Sequence, residues 1–144
     1  MTHLKGLFLD HDAKVAVFFE HDDLTAAFLQ RSIEALDRPA FPSDYDIITW
    51  FSPQTRFLIS LDRLVAHAIE RAALQRRRGA RPIRSVLVDI PEHWQLPPEV
   101  WRAFFDEPDP TLTILEAPTI AEAYAVLGKG DPPDFDAMTP EPYY

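Results

Sequence analysis

The sequence predicts an α/β fold with a mixed, mostly parallel five-stranded sheet. Five short segments carry the apolar patterns of β-strands, and helical patterns separate most of them. Alternation of strands with helices is typical of parallel strands joined by crossover connections. The expected order of elements is β-β-α-β-α-β-α-β-α, and it begins with an N-terminal hairpin.

The first two strands should pair as an antiparallel hairpin. Apolar runs occupy residues 7–10 and 15–20, and the four residues between them form a polar connector of hairpin length. A helix should follow over residues 24–36, because apolar side chains recur there with helical spacing. The acidic side chains just before it can cap its free amides, and the prolines at 39 and 42 should end it.

The central strand should lie at residues 45–51, which are rich in β-branched and aromatic residues and apolar on both alternating faces. A loop leads from its carboxyl end to a helix predicted for residues 61–78. Loops in this position commonly carry the working residues of open α/β sheets. The candidate residues of an interaction loop are therefore Ser52, Gln54, Thr55 and Arg56.

The second half of the domain repeats the alternation of strand and helix. A buried strand is predicted over residues 84–90, and a last strand over residues 111–116. Between them, the proline pair at 97–98 can open a helix, since a missing amide hydrogen costs nothing at a helix start. A final helix should run through residues 120–127 with Thr119 as its cap.

Residues 1–128 are expected to form a single domain, and residues 129–144 a separate tail. The tail is rich in proline and acidic residues and contains little aliphatic material. Such a segment cannot bury enough apolar surface to offset the entropy lost on ordering. We therefore expect the tail to be mostly disordered.

Composition excludes several classes of function. The formal net charge of −9 repels phosphate backbones, so general nucleic-acid binding is not expected. No apolar run reaches the roughly 20 residues that span a bilayer, and the first residues do not form a secretory signal, so we expect a cytoplasmic protein without membrane contact. The absence of cysteine excludes disulfides and thiol chemistry.

Two local patterns carry a resemblance to a known family. Residues 39–46 (Pro-Ala-Phe-Pro-Ser-Asp-Tyr-Asp) lead into the central strand, and residues 57–64 (Phe-Leu-Ile-Ser-Leu-Asp-Arg-Leu) open a helix. With the hairpin start, this order resembles the STAS domain of bacterial anti-sigma factor antagonists, and more closely the SpoIIAA-like group of small bacterial proteins. The resemblance covers residues 4–128 and implies a STAS/SpoIIAA-like α/β sheet.

Ser60 is the residue that this resemblance singles out. The antagonists carry an Asp-Ser-Ser-Gly type motif whose serine is phosphorylated by a partner kinase. The matching residues 59–62 here read Ile-Ser-Leu-Asp, so one serine is kept and the preceding acid and following glycine are missing. Ser60 is therefore a candidate phosphoacceptor, and the alternative is a helix cap, a position that serine favours.

Charged residues suggest two further possibilities. An arginine cluster near the end of the second predicted helix could bind an anion or an acidic partner, or it could consist of solvated cations at the negative end of the helix dipole. This cluster comprises Arg71, Arg76, Arg77, Arg78, Arg81 and Arg84.

Three acidic residues on or near strands could perform acid–base chemistry if burial raised the pKa of one of them. They are Asp46, Asp89 and Glu116.

No catalytic residue and no metal or other cofactor is predicted. No nucleophile or activating base accompanies the three acidic residues. The histidines at positions 3, 11, 21, 67 and 93 lack the paired spacing with a third ligand that a zinc site needs. Solvated or singly bonded histidines are the simpler interpretation.

Large aromatic residues suggest an interface. Trp50, Trp101 and Phe105 are candidate interface aromatics, although most large aromatics in such a domain belong to the core.

Both faces of the central strands are largely apolar, and sequential crossovers would place most helices on one face. An uncovered apolar face predicts self-association, with a two-fold homodimer as the expected assembly. The alternative is a monomer whose second face is covered by another part of the chain.

Three functions therefore remain open. The first is a non-enzymatic, STAS-like protein-interaction or regulatory module with an unidentified protein partner. The second is a carrier or sensor of a small apolar ligand or lipid. The third is a small hydrolase of unrecognised type.

Overall fold

The protein is an α/β domain built on one five-stranded sheet, as the sequence predicts. The computed structural model describes residues 5–78, 82–94 and 112–144. The strands are β1 (Gly6–Asp10), β2 (Val15–Glu20), β3 (Asp46–Phe51), β4 (Ile83–Val88) and β5 (Leu112–Ala117). The helices of the described residues are α1 (Ala26–Leu36), α2 (Leu61–Arg78) and α3 (Ile120–Val126).

The strands lie in sequence order across a mixed sheet. β1 pairs with β2 in antiparallel orientation through the predicted hairpin, and the remaining neighbours are parallel. Parallel pairing follows from the crossover connections through α1 and α2, which return the chain to the same end of the sheet. The helix predicted after the proline pair at 97–98 lies outside the described residues.

Local capping determines where two helices begin. Thr25 Oγ1 accepts a hydrogen bond from Phe28 N at 3.2 Å, so α1 starts at Ala26. The predicted start at residue 24 is wrong by two residues, because Leu24 forms a bridge with Phe57 instead. Thr119 caps α3 as predicted, accepting from the backbone amide three residues later.

Both faces of the sheet are covered by the chain itself. The first face packs against α1 and α2, and its buried cluster includes Phe18, Ile33, Ile47 and Leu74. The second face packs against α3, and a separate group of side chains is buried there. This second cluster includes Phe8, Val17, Ile48, Val86, Tyr124 and Phe135.

The C-terminal segment, residues 129–144, packs on the domain, and the expectation of a disordered tail is corrected. Phe135 is buried against the rings of Phe8 and Phe19, with centroid distances of 6.2 and 5.3 Å. Further on, Glu141 N donates a hydrogen bond to Leu7 O at 2.8 Å, along the outer edge of β1. The Tyr144 ring then packs on Phe18 at 5.0 Å, on the opposite face of the sheet.

The tail therefore crosses the β1 edge from one face to the other. The physical reason is that Phe135, Tyr143 and Tyr144 supply the apolar area that the tail lacks in aliphatic residues. Prolines also restrict the conformations of the unfolded chain, so less conformational entropy is lost when the tail becomes ordered. The open sheet face that motivated the homodimer prediction is consequently closed by α3 and the tail.

One face of α2 differs from its expected orientation. Leu61, Val65 and Ile69 follow a core-facing spacing in the sequence, but they are exposed, Ile69 to 65%. The buried residues of α2 are Leu64, His67, Ala72, Leu74 and Gln75, and most of them lie on a different face of the helix. Within the described parts of the chain, no helix combines the length and apolarity needed to cross a membrane.

Candidate ligand-binding site

An apolar pocket lies between α1, α2 and the first face of the sheet. Its volume is about 80 Å³, several times the roughly 10–15 Å³ that one water molecule requires. The walls come from both helices, from the central strand β3 and from the segments that follow β3 and β4. Aromatic and aliphatic side chains dominate them, among them Phe28, Leu29, Phe51, Phe57, Leu64 and Trp94.

The segment after β3 forms one side of the pocket and is held by hydrogen bonds. Thr55 is fully buried, and its Oγ1 donates to Glu20 O at 3.1 Å. Its carbonyl oxygen accepts a hydrogen bond from Trp94 Nε1 at 2.6 Å, and His93 Nε2 lies 3.1 Å away. These bonds place the Trp94 ring between Phe51 and Phe57, at centroid distances of 4.9 and 5.3 Å.

The four candidate residues of the interaction loop therefore divide into two groups. Ser52 and Thr55 are buried, so their side chains support the loop internally. Gln54 and Arg56 are exposed, but Arg56 forms a bidentate ion pair with Asp23 at 2.6 and 3.0 Å. This ion pair joins the loop to the start of α1, and only Gln54 presents a side chain to solvent without a charged partner among the described residues.

Two polar side chains of α2 line the otherwise apolar pocket. His67 and Arg71 lie one turn apart on the same helix face as Leu64. His67 is buried, and burial lowers its pKa to about 3, with further lowering from Arg71 and Arg63. Burial also lowers the pKa of Arg71 to about 10. At neutral pH the pocket therefore contains an uncharged imidazole and a positively charged guanidinium group.

Among the described residues, few groups form hydrogen bonds with the His67 and Arg71 side chains. Arg71 Nη1 donates to Ser85 Oγ at 3.3 Å, a long hydrogen bond to a fully buried serine of β4. No described carboxylate forms an ion pair with Arg71, and burial is the only cause of its lowered pKa. The His67 ring and the Thr49 hydroxyl, which also lines the pocket, have no hydrogen-bond partner among the described residues.

The sequence predicts a solvated or singly bonded His67, and it places Arg71 in an arginine cluster that either binds an anion or is solvated. A signal for the pocket was nevertheless present, because both residues continue the stripe that starts at Leu64, at spacings of three and seven residues. Polar residues on a core-facing stripe indicate either a polar network or a cavity. Only the packing of α1 against α2 distinguishes these two cases.

Ser60 lies at the start of α2, just outside the pocket. Its Oγ accepts a hydrogen bond from Arg63 N at 3.2 Å, and its carbonyl oxygen accepts from Leu64 N at 3.0 Å. This is the geometry of a helix N-cap. The side chain is exposed, so a kinase could also reach it.

The candidate interface aromatics do not form a described patch. Trp50 is half-buried on the second face of the sheet and packs against Phe19 at 4.8 Å. Trp101 and Phe105 lie outside the described residues.

The arginine cluster is divided among separate partners. Arg77 pairs with Asp37 at 3.1 Å, and Arg78 donates to the carbonyl oxygens of Leu36 and Phe41. Arg84 forms an ion pair with Asp46 at 2.9 Å, and Arg76 also interacts with another group. Arg81 lies outside the described residues. A single arginine anion site is therefore not formed by the described members, and Arg71 alone enters the pocket.

The three candidate acidic residues are also separated. Asp46 opens β3 and is held by Arg84, whereas Asp89 and Glu116 lie near the ends of β4 and β5. Because these strands are parallel, Asp46 lies at the opposite end of the sheet from the other two. Among the described residues, no group of three histidine or acidic side chains is arranged to hold a metal ion.

Comparisons with known proteins give no relative. No family model matches the sequence, and no match was found among curated proteins or solved structures.

Proposed function

We propose that this protein is a non-enzymatic binding module that carries or senses a small, largely apolar molecule in the pocket between α1, α2 and the sheet. The observation that carries the proposal is the pocket itself, with its aromatic and aliphatic walls. Small-molecule sites are typically concave and mostly apolar, with a few polar groups that orient the ligand. The described walls match that pattern.

The hydrophobic effect also supports ligand binding. Protein interiors pack with few spaces larger than a water molecule, so a pocket of about 80 Å³ with apolar walls is an unusual feature. Apolar surface that a ligand removes from water in this pocket contributes about 25 cal/mol per Å² to binding.

A binding role fits the chemistry of the described walls better than hydrolysis. The polar side chains of the walls are those of Ser32, Thr49, His67 and Arg71, and no carboxylate is among the described lining residues. Ser32 Oγ already donates to Leu29 O at 2.8 Å. The resemblance to STAS and SpoIIAA-like proteins supports a regulatory role in the bacterial cytoplasm, in which ligand binding would control another protein.

A dye-binding experiment tests the proposal. We expect a neutral apolar fluorescent dye, N-phenyl-1-naphthylamine, to bind the wild-type protein and to be displaced by dodecanol. Leu29→Trp fills the pocket from α1 and should abolish binding. Gln30→Trp adds the same ring on the exposed side of α1 and is the matched control, so it should leave binding unchanged.

Two results would contradict the proposal. One is the absence of saturable dye binding to the wild-type protein. The other is equal binding by the two tryptophan variants, when circular dichroism shows that both are folded. Native mass spectrometry of freshly purified protein adds a direct measurement, since a bound apolar molecule from the expression host would appear as a fixed mass increase.

A second function, protein docking through α2, is favoured by a different observation. Leu58, Leu61, Val65 and Ile69 form an exposed aliphatic strip. The first turn of α2 carries Asp62 and the last turn is basic, so two copies packed antiparallel would place opposite charges against each other. We propose that a second copy of this chain covers this aliphatic strip. Sedimentation at micromolar concentration should then show a dimer for the wild-type protein and a monomer for Ile69→Glu. A monomeric wild-type protein would refute this second function.

A further inference from the structure

Arg71 is a half-buried cation without a described counter-ion. It lines the pocket from α2, and its contact with a described side chain is the 3.3 Å hydrogen bond from Nη1 to Ser85 Oγ. A guanidinium group has five N–H donors in a planar fork. One hydrogen bond to a neutral serine leaves most of these donors without a described partner, in a pocket whose walls are mostly apolar.

Two neutral polar groups lie in the same pocket. Thr49 projects from the sheet and His67 from α2, one turn before Arg71. Both have side-chain hydrogen-bonding atoms without a partner among the described residues. The pocket interior therefore offers one positive charge, two neutral hydrogen-bonding groups and an extended apolar surface.

We infer that the pocket binds a single-chain carboxylic acid in its anionic form, with Arg71 as the counter-ion of the carboxylate and His67 and Thr49 as additional hydrogen-bonding groups. This inference rests on the proposed function, which requires only that an apolar molecule occupies the pocket. A carboxylate can accept two parallel N–H bonds from the guanidinium fork. The hydrocarbon chain would then lie among Phe28, Leu29, Phe57 and Trp94.

The balance of charge favours this class of ligand. A neutral ligand would cover the half-buried Arg71 without compensating its charge, which is unfavourable in a mostly apolar pocket. A phosphate monoester dianion brings two negative charges to a pocket with one described cation. A carboxylate brings one, and its two oxygens match the width of the guanidinium fork.

Three ligands with equal chain length test the inference. Dodecanoate, dodecanol and methyl dodecanoate are titrated at pH 8, where the acid is ionised, and their dissociation constants are measured by displacement of the fluorescent dye. Hydrogen bonds to a charged group correspond to an affinity gain of roughly 10- to 100-fold, so the wild-type protein should prefer dodecanoate by that factor. Arg71→Met should abolish the preference and leave the binding of dodecanol within about twofold of wild type.

Arg77→Met is the matched control. Arg77 lies on the same helix but is exposed and pairs with Asp37, so this variant should keep the full preference for dodecanoate. If Arg71→Met does not fold, Arg71→Lys and Ser85→Ala replace it. Lysine keeps the positive charge but lacks the planar guanidinium fork, so Arg71→Lys should reduce the preference for dodecanoate over dodecanol. Ser85→Ala removes the hydrogen-bond partner of Arg71 Nη1 and should retain this preference.

The outcomes separate the inference from the proposed function. Equal affinities for the three ligands in the wild-type protein would overturn the carboxylate assignment and leave the apolar pocket in place. A preference that survives in Arg71→Met would also overturn it. Tighter binding of monododecyl phosphate than of dodecanoate would overturn the choice of a monoanion. Failure of all of these ligands to bind would refute the proposed function itself.

Discussion

Glu20 is a buried carboxyl group whose ionisation should make stability depend on pH. It lies at the end of β2 and is 2% exposed. Tyr144 Oη donates a hydrogen bond to its Oε1, and Arg31 Nη2 lies 3.8 Å from Oε2. Burial raises the pKa of Glu20 from 4.5 to about 7, although the hydrogen bond from Tyr144 and the charge of Arg31 oppose this change.

The sign of the effect follows from proton linkage. Between pH 4.5 and about 7 the folded state holds the Glu20 proton more tightly than the unfolded state does. This contribution to stability is therefore fully present below pH 4.5 and is lost as the pH rises through about 7. The total loss is roughly 3 kcal/mol, and about 2 kcal/mol of it falls between pH 5.5 and 8.5.

The variant Glu20→Gln isolates this contribution. Its amide is nearly isosteric, cannot ionise and can still accept a hydrogen bond from Tyr144. We expect the free energy of unfolding of the variant, minus that of the wild type, to rise by about 2 kcal/mol between pH 5.5 and 8.5. Urea denaturation followed by tryptophan fluorescence at both pH values measures this difference, and other titrating groups cancel in it.

Glu34→Gln is the control, because Glu34 is exposed on α1. Its stability difference from the wild type should change by less than about 0.5 kcal/mol over the same pH range. A pH-independent difference for Glu20→Gln would refute the reasoning, since Glu20 would then ionise normally in the folded protein. A decrease of the difference toward pH 8.5 would show that the ionised carboxylate is the stabilising form.

Three further predictions concern stability and are measured by urea denaturation. Phe135→Ala should cost about 3 kcal/mol because it leaves a cavity between Phe8 and Phe19, and a cost below about 1 kcal/mol would show that the tail does not pack on the sheet. Ser60→Ala should lower the free energy of unfolding by about 0.5–2 kcal/mol, whereas Ser60→Asp should leave it almost unchanged because aspartate also caps a helix. Equal losses of stability in the two variants would exclude the cap. Tyr124→Phe should cost about 1–3 kcal/mol by removing the buried 2.8 Å bond to Asp10, and an unchanged midpoint would contradict that role.

Local patterns were sufficient to predict most of the elements. The hairpin over β1 and β2 follows from two apolar runs and a short polar connector, and α3 begins at the predicted cap, Thr119. These features depend on backbone propensities and on contacts within a few residues. The mixed five-stranded sheet then follows from the alternation of strands and helices.

The candidate site could be predicted only in part. The segment after β3 does form one side of the pocket, but the sequence pointed to its polar side chains as a surface, and Ser52 and Thr55 are buried. The sequence favours a solvated or singly bonded His67, and it places Arg71 in a cluster that could bind an anion without indicating this pocket. Their chemical interest arises because α1 and α2 pack over the sheet and leave a space between them, which no periodicity in one helix can indicate.

By itself, the sequence determined the strands, most helix boundaries and the class of fold, because hydrophobic periodicity and capping act over short distances along the chain. Only the tertiary structure decided which face each helix covers and what happens to the last residues. Residues 129–144 looked too polar to fold, yet Phe135 and Tyr144 find apolar partners contributed by distant strands. Whether a side chain is buried depends on the surface that it meets, and that surface exists only once the sheet has formed.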